Sequence, residues 1–158
     1  MSTGAVGDAP AGSRSELPLF RMGASGLALA GLFVAAYLAL YNLGVSGTLQ
    51  CGEGGGCSLV QGSEYAWFAG VPVSLWGVLG YAVILAVAIA GTTPALARSA
   101  RISTALVALS GAGAAFSGYL TYLEAAVIKA WCQWCVVSAV IISAIFLLAL
   151  VDWRRVTS

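Results

Sequence analysis

Four long apolar segments, separated by charged residues, constrain the fold of this chain more than any other feature. Hydrophobic residues make up 60% of the 158 positions and charged residues only 8%, whereas soluble domains carry about 25% charged residues. A bilayer is therefore the solvent. A membrane span needs about 20 apolar residues, and a charge at the bilayer centre costs at least about 2.5 kcal/mol. The predicted fold is an all-α membrane protein, a four-transmembrane-helix bundle with helices near 22–44, 72–92, 102–124 and 130–151.

The N-terminal segment 1–20 is rich in Gly, Ser, Ala and Pro. This composition predicts a flexible cytoplasmic tail ahead of a membrane domain over residues 21–155. A cleaved signal peptide is the alternative for the first apolar segment, but that segment is far longer than the usual apolar region of about 7–15 residues. A net charge of +1 without a basic stripe excludes a nucleic-acid-binding surface.

Lysine and arginine are distributed unequally between the two sides of the predicted bundle. One side has six arginines and the other a single lysine: Arg14, Arg21, Arg98, Arg101, Arg154 and Arg155 against Lys129. By the positive-inside rule, both termini face the cytoplasm. The outer loop, residues 45–71, then faces the periplasm or exterior of a cytoplasmic (inner) membrane that the chain crosses several times.

All four cysteines fall on this outer side. Cys51 and Cys57 lie in the outer loop, while Cys132 and Cys135 lie where the fourth helix enters the membrane, in WCQWC. Disulfides form and persist in such compartments. Residues three apart on a helix are neighbours, so we expect Cys132 and Cys135 in the first turns of the helix, able to close a disulfide. The partial positive charge of a helix N-terminus lowers a thiol pKa and makes a nucleophile without histidine.

The loop pair is spaced by glycine, in CGEGGGC. Such a segment can bend back to close its own disulfide and can swing towards another one. The following residues, SLVQ, match the capping-box pattern. They predict a short interfacial lid helix that starts at Ser58 and runs through Phe68 on the membrane surface.

Other uses of cysteine fit these spacings less well. A single buried membrane cysteine is often a packing residue, but here two pairs share one face. Four thiolates suit zinc, yet structural zinc belongs to reducing compartments, so no metal is expected. Covalent haem requires C-x-x-C-H, and Val136 follows Cys135. Two dithiols in line predict a relay for thiol–disulfide exchange. A lipid-soluble quinone is the expected electron acceptor, because it takes up the two electrons and two protons that a dithiol releases.

An ordered set of motifs runs from Cys51 to Cys135. It comprises C-x5-C, Ser63 six residues after Cys57, the segment YAWFAGVPVSLWGVLGY, and the CxxC that opens the fourth helix. This set resembles the vitamin K epoxide reductase family in its bacterial form. The resemblance implies that the CxxC is the active site beside the quinone, that the loop pair passes electrons from a thioredoxin-like partner, and that the lid helix covers the pocket.

The resemblance also implies roles for individual residues. Cys135 contacts the quinone, Cys132 exchanges with the loop pair, and Ser63 and Trp76 contribute to the quinone pocket. Whether Cys51 or Cys57 bridges to Cys132 stays open.

The chain departs from parts of the family pattern. Many relatives carry a thioredoxin-like domain after the last helix, but only seven residues follow Val151, so a separate partner is expected. Animal members have a tyrosine where this chain has Ala139 and an asparagine where it has Val73. Since those two groups shape the pocket for vitamin K derivatives, the departures favour plain quinone reduction over epoxide reduction.

The sequence therefore predicts a membrane thiol–disulfide oxidoreductase that supports disulfide bond formation. It would oxidise a thioredoxin-like (DsbA-type) protein on the outer side and reduce a membrane quinone such as ubiquinone or menaquinone. Three alternatives remain: a DsbB-like oxidase, in which the CxxC follows the first helix; a vitamin K quinone or epoxide reductase; and a non-enzymatic scaffold whose cysteines only staple the outer loop.

Overall fold

The computed structural model describes the backbone of residues 12–53 and 55–158, and the side chains from residue 19 onwards within these ranges. Four long helices form the bundle: α1 (Gly12–Asn42), α3 (Val73–Ala90), α4 (Ala100–Tyr122) and α5 (Gln133–Thr157). Each is long and apolar enough to cross a membrane, over Leu19–Asn42, Val73–Ala90, Ala100–Ile128 and Gln133–Thr157. The predicted four-helix membrane bundle is confirmed.

The helix boundaries differ from the prediction mainly at the end of the bundle that carries the two termini. Helix α1 begins at Gly12, inside the segment predicted as a flexible tail, and residues 1–11 of that tail lie outside the described residues. Helix α5 continues past Asp152 to Thr157. Once an apolar run has nucleated a helix, each added residue gains a backbone hydrogen bond at little cost. Both helices therefore extend beyond their apolar segments.

Small side chains let the long helices approach one another closely. Helix α1 packs against α3 and α5, and α4 packs against α5. Ala24, Ala28 and Ala35 of α1 are buried in the resulting core. A Cβ atom placed at Gly113 of α4 would lie 3.0 Å from the side chain of Ile142 on α5. The bundle is thus held by close packing of small against large residues, as expected where lipid provides no hydrophobic drive between helices.

An ion pair lies buried at the end of the bundle that carries the two termini. The Nε of Arg21 is 3.1 Å from Oδ2 of Asp152, and both side chains are almost fully buried. Ser103 donates to the same carboxylate oxygen at 2.6 Å and accepts from Arg21, which also donates to the carbonyl of Gly91 at 2.7 Å. In the sequence, Arg21 and Asp152 only marked the ends of the first and fourth spans. In the fold they join α1, α4 and α5.

Removing one partner of this pair should destabilise the bundle strongly. Arg21→Met leaves the Asp152 carboxylate buried and unpaired, which costs about 3–5 kcal/mol for such pairs. We expect Arg21→Met to unfold in mixed micelles at a markedly lower fraction of denaturing detergent than the wild-type protein. Circular dichroism measures the loss of helix. The exposed Arg154→Met is the matched control. Equal stability of the two variants would mean that the pair contributes nothing to the fold.

The outer loop folds into several short elements. Helix α2 spans Cys57–Gln61, a 3-10 turn spans Glu64–Ala66, and strands β1 (Trp67–Phe68) and β2 (Val71–Pro72) pair antiparallel. The turn between the strands has positive φ at Ala69 (54°) and Gly70 (76°). A short helix in the outer loop is confirmed, but its predicted extent through Phe68 is wrong, because α2 ends at Gln61 with Gly62 as its C-terminal cap.

The predicted capping box is also wrong. The residue before helix α2 is Gly56, Ser58 lies inside the helix, and no side chain caps its N-terminus. The side chain of Gln61, which the capping box would turn back to the helix start, points instead towards the cysteines of α5.

Helix α4 ends in a π-helical turn, Leu123–Ile128. Lys129 follows in the left-handed conformation with φ 55°, and the chain then reverses into α5. Wide π-helical turns commonly occur at functional sites. Here the turn places Glu124 beside the start of α5.

Candidate active site

The structure brings the four cysteines together under the outer loop. Cys51 and Cys57 form a disulfide, and Cys132 and Cys135 are free thiols. Cys57 and Cys132 are almost fully buried in one small cluster with Val60, against which the partly buried Cys51 and Cys135 pack. The predicted closure of the loop pair on itself agrees with this arrangement. Two of the four sulfurs are then unable to serve as thiolate ligands for zinc.

Backbone contacts hold the loop cysteines against the start of α5. Gly52 N–H donates to the side-chain oxygen of Gln133 at 3.2 Å, and the indole of Trp134 donates to the carbonyl of Gln50 at 2.7 Å. A Cβ atom at Gly56 would lie 2.5 Å from the carbonyl oxygen of Trp131. Glycine is therefore required at position 56 for Cys57 to approach the residue that precedes Cys132.

Cys132 is the residue that caps helix α5. It has extended φ and ψ of −98° and 109°, and its Sγ accepts the backbone N–H of Cys135 at 3.4 Å. The prediction that both cysteines lie inside the first turns is wrong for Cys132, since the helix begins at Gln133. The backbone N–H of Cys135, in the first turn of the helix, consequently points at the sulfur of Cys132.

The cap has an electrostatic consequence. A hydrogen bond from the Cys135 thiol, joined by those from the Cys135 N–H and the Gln61 amide, lowers the pKa of Cys132 against the opposing effects of burial and of Glu124. In the reduced pair, the negative charge is therefore favoured on Cys132.

This charge distribution predicts a spectroscopic difference. Cys135→Ala removes the largest of the interactions that stabilise the Cys132 thiolate. With the loop pair oxidised, the ultraviolet absorbance of the thiolate should titrate at a higher pH in Cys135→Ala than in the wild-type protein, where thiolate persists to lower pH. A titration at the same or lower pH in the variant would contradict the assignment.

Gln61 contacts both thiols of α5. Its Nε2 is 3.3 Å from Sγ of Cys135 and 3.9 Å from Sγ of Cys132. Its Oε1 accepts from Nδ2 of Asn42 at 2.8 Å, and the same Nδ2 lies 3.0 Å from Oγ of Ser74. Since Asn42 occupies the oxygen end of the amide, the donor end of Gln61 must face the sulfurs. No separate signal in the sequence indicated this network, because Gln61 matched a capping pattern.

Glu124 also lies beside the cysteines. Its Oε2 accepts the backbone N–H of Cys132 at 3.0 Å. The side chain is only 2% exposed. In the sequence Glu124 marked the end of a span, although an ionisable residue within an apolar segment is itself a signal for function.

An apolar cavity of about 210 Å³ adjoins Cys135. It is lined mainly by hydrophobic and aromatic side chains, with a few polar groups that include Gln61 and Glu124. Ser63 and Trp76, both predicted from the sequence, line it as well. Ser63 Oγ donates to the carbonyl of Val60 at 2.7 Å, and Trp76 Nε1 donates to the carbonyl of Phe68 at 3.3 Å. The Ser63 bond lies within the outer loop, and the Trp76 bond joins helix α3 to the outer loop.

The fold and the cysteines together define a class of protein. It is a multi-pass membrane protein in which a loop disulfide packs against a dithiol at the start of a membrane helix, beside an apolar cavity. A family model described as "Vitamin K epoxide reductase family" matches residues 24–150. This match covers most of the chain, so the chain belongs to the vitamin K epoxide reductase family. Membership implies a membrane disulfide oxidoreductase linked to quinone.

The cavity fits the ring of a quinone. Ligand pockets are largely apolar with a small number of placed polar groups, and this cavity has that composition. Its aromatic wall at Trp76 and the sulfur of Cys135 give a planar ring both a packing surface and a redox contact. Val73, which replaces the asparagine of animal members, also lines the cavity.

Proposed function

We propose that this protein oxidises a thioredoxin-like (DsbA-type) partner on the outer side of the cytoplasmic membrane and reduces a membrane quinone such as ubiquinone or menaquinone. Both termini then lie in the cytoplasm. The observation that carries the proposal is the packing of the Cys51–Cys57 disulfide against the Cys132 and Cys135 thiols, with the cavity next to Cys135.

The partner's thiolate attacks Cys51, because Cys51 is partly exposed whereas Cys57 is buried. The partner's second thiol then resolves this mixed disulfide, and the partner leaves oxidised. Cys57, now a thiolate, attacks Cys132 of the inner disulfide and releases Cys135. Attack by Cys51 on Cys57 restores the loop disulfide and leaves the inner pair reduced, which is the distribution of bonds in the described structure.

The quinone, when bound, accepts two electrons and two protons. Cys135, Ser63 and Trp76 are the residues proposed to contact it. The amide of Gln61 stabilises negative charge on the sulfurs, and the outer loop keeps bulk water away from them. With Val73 in the cavity wall, plain quinone reduction is the favoured activity and epoxide reduction is not proposed.

Purified protein in lipid nanodiscs with a dithiol donor tests this function. We expect it to reduce an added ubiquinone or menaquinone analogue, followed by the loss of quinone absorbance, and to oxidise a reduced DsbA-type protein in the same stoichiometry. Protein whose Cys51–Cys57 bond stays oxidised under these conditions, with no change in quinone absorbance, would support a stapled scaffold and contradict the proposal.

A further inference from the structure

Glu124 is a buried carboxylate. Neither the thiol-exchange steps nor the packing of the bundle explains why a carboxylate is buried at this position. It lies in the π-helical turn Leu123–Ile128, lines the cavity beside Cys135 and is 2% exposed. Burying a carboxylate within a membrane protein is costly, and such residues commonly serve proton or ion transfer. Capping the N–H of Cys132 does not require a charge, since an amide oxygen would accept that hydrogen bond equally well.

The cysteine chemistry leaves one proton without a carrier. When Cys132 and Cys135 close their disulfide, both sulfurs must have lost their protons. Cys132 is the more readily ionised thiol, so the proton that must still leave before the bond closes is that of Cys135. The chain contains no histidine. Among the described residues, Glu124 is the only Asp, Glu, Lys or Arg that lines the cavity together with Cys135.

We propose that Glu124 is the proton carrier between Cys135 and the quinone cavity. This inference rests on the proposed quinone reductase function. The Glu124 carboxylate takes the proton from the Cys135 thiol, the S–S bond forms between Cys132 and Cys135, and two electrons leave the sulfurs for the quinone. Glu124 then gives its proton to one oxygen of the reduced quinone, and the second proton comes from the outer water, to which the partner's dithiol released it on oxidation. Two electrons and two protons are thereby accounted for.

The variant Glu124→Gln keeps an acceptor for the Cys132 N–H but cannot carry a proton. We expect its kcat for quinone reduction to fall about 100-fold or more, the usual effect of losing a general acid–base group. Transfer of electrons from the loop pair to the inner pair, measured without quinone by rapid thiol trapping, should proceed at the wild-type rate. Glu124→Asp, which keeps the carboxyl group, should recover part of the lost kcat. The exposed Glu64→Gln is the control.

An infrared measurement on quinone-free protein provides an independent readout. When diamide closes the inner disulfide in the absence of quinone, the proton of Cys135 should pass to Glu124 and give the C=O stretching band of a protonated carboxyl group. This band should appear in the wild-type protein and in Glu64→Gln and be missing in Glu124→Gln.

The outcomes separate this inference from the proposed function. A wild-type protein that reduces no quinone overturns the function, and the inference with it. An active wild type without the carboxyl C=O band, or one whose Glu124→Gln variant is equally fast, overturns the inference alone. A variant that loses loop-to-inner transfer in the same proportion as quinone reduction, without recovery in Glu124→Asp, shows a purely structural carboxylate and also overturns it.

Discussion

Cys135→Ala is expected to reduce quinone at the background rate with every thiol donor. Cys135 is the cysteine that lines the cavity, and without it Cys132 has no partner with which to close the inner disulfide. By contrast, Cys51→Ala should lose activity with a DsbA-type protein but keep a measurable rate with dithiothreitol. A small dithiol can reach the inner pair directly once the loop disulfide no longer holds the glycine-rich segment in place.

Both variants are assayed with one quinone analogue and with each of the two donors. The rate is measured from the loss of quinone absorbance. Cys51→Ser is a second version of the loop variant, which checks that the result does not depend on the size of the replacing side chain. If Cys135→Ala and Cys51→Ala behaved alike with dithiothreitol, the two-stage relay would be wrong.

A second large effect is expected for the disulfide that links the two pairs. In the double variant Cys51→Ala/Cys135→Ala, the remaining Cys57 and Cys132 should form a disulfide almost completely under mild oxidation with diamide. Both residues are almost fully buried in the same cluster with Val60. The close approach of Gly56 to Trp131 brings their backbones together.

The matched control is Cys57→Ala/Cys135→Ala, which leaves Cys51 and Cys132. Cys51 is the outer, partly exposed member of the loop pair, so this variant should cross-link much less. The products are identified by mass spectrometry of the intact protein and of peptides that span both cysteines. Equal cross-linking of the two variants, or more in the control, would assign the bridging role to Cys51 instead.

Much of the architecture could be predicted because hydropathy is additive along the chain. Four apolar segments were enough to predict four spans, and the spacing of the cysteines was enough to single out the residues that the fold gathers under the outer loop. Errors arose at the ends of elements. Helix α1 begins at Gly12, helix α2 ends at Gln61, and helix α5 starts one residue after Cys132. Helix ends depend on a few local hydrogen bonds that composition does not determine.

The polar environment of the thiols could not be predicted in the same way. Asn42, Gln61 and Glu124 come from three separate elements, and each had a simpler local interpretation in the sequence. Gln61 matched a capping box, and Glu124 marked the end of a span. The distances between their side chains and the sulfurs depend on how the outer loop packs over α4 and α5.

The sequence by itself determined that this chain is a four-helix membrane protein with two cysteine pairs on one side, because burial in lipid and residue spacing are properties of short segments. Only the tertiary structure decided that Cys132 caps helix α5, that the Gln61 amide contacts the thiols, that Glu124 accepts from the backbone of Cys132, and that Arg21 pairs with Asp152. Hydrogen bonds and ion pairs act over a few ångströms between residues distant in the chain, so they exist only after the helices have packed.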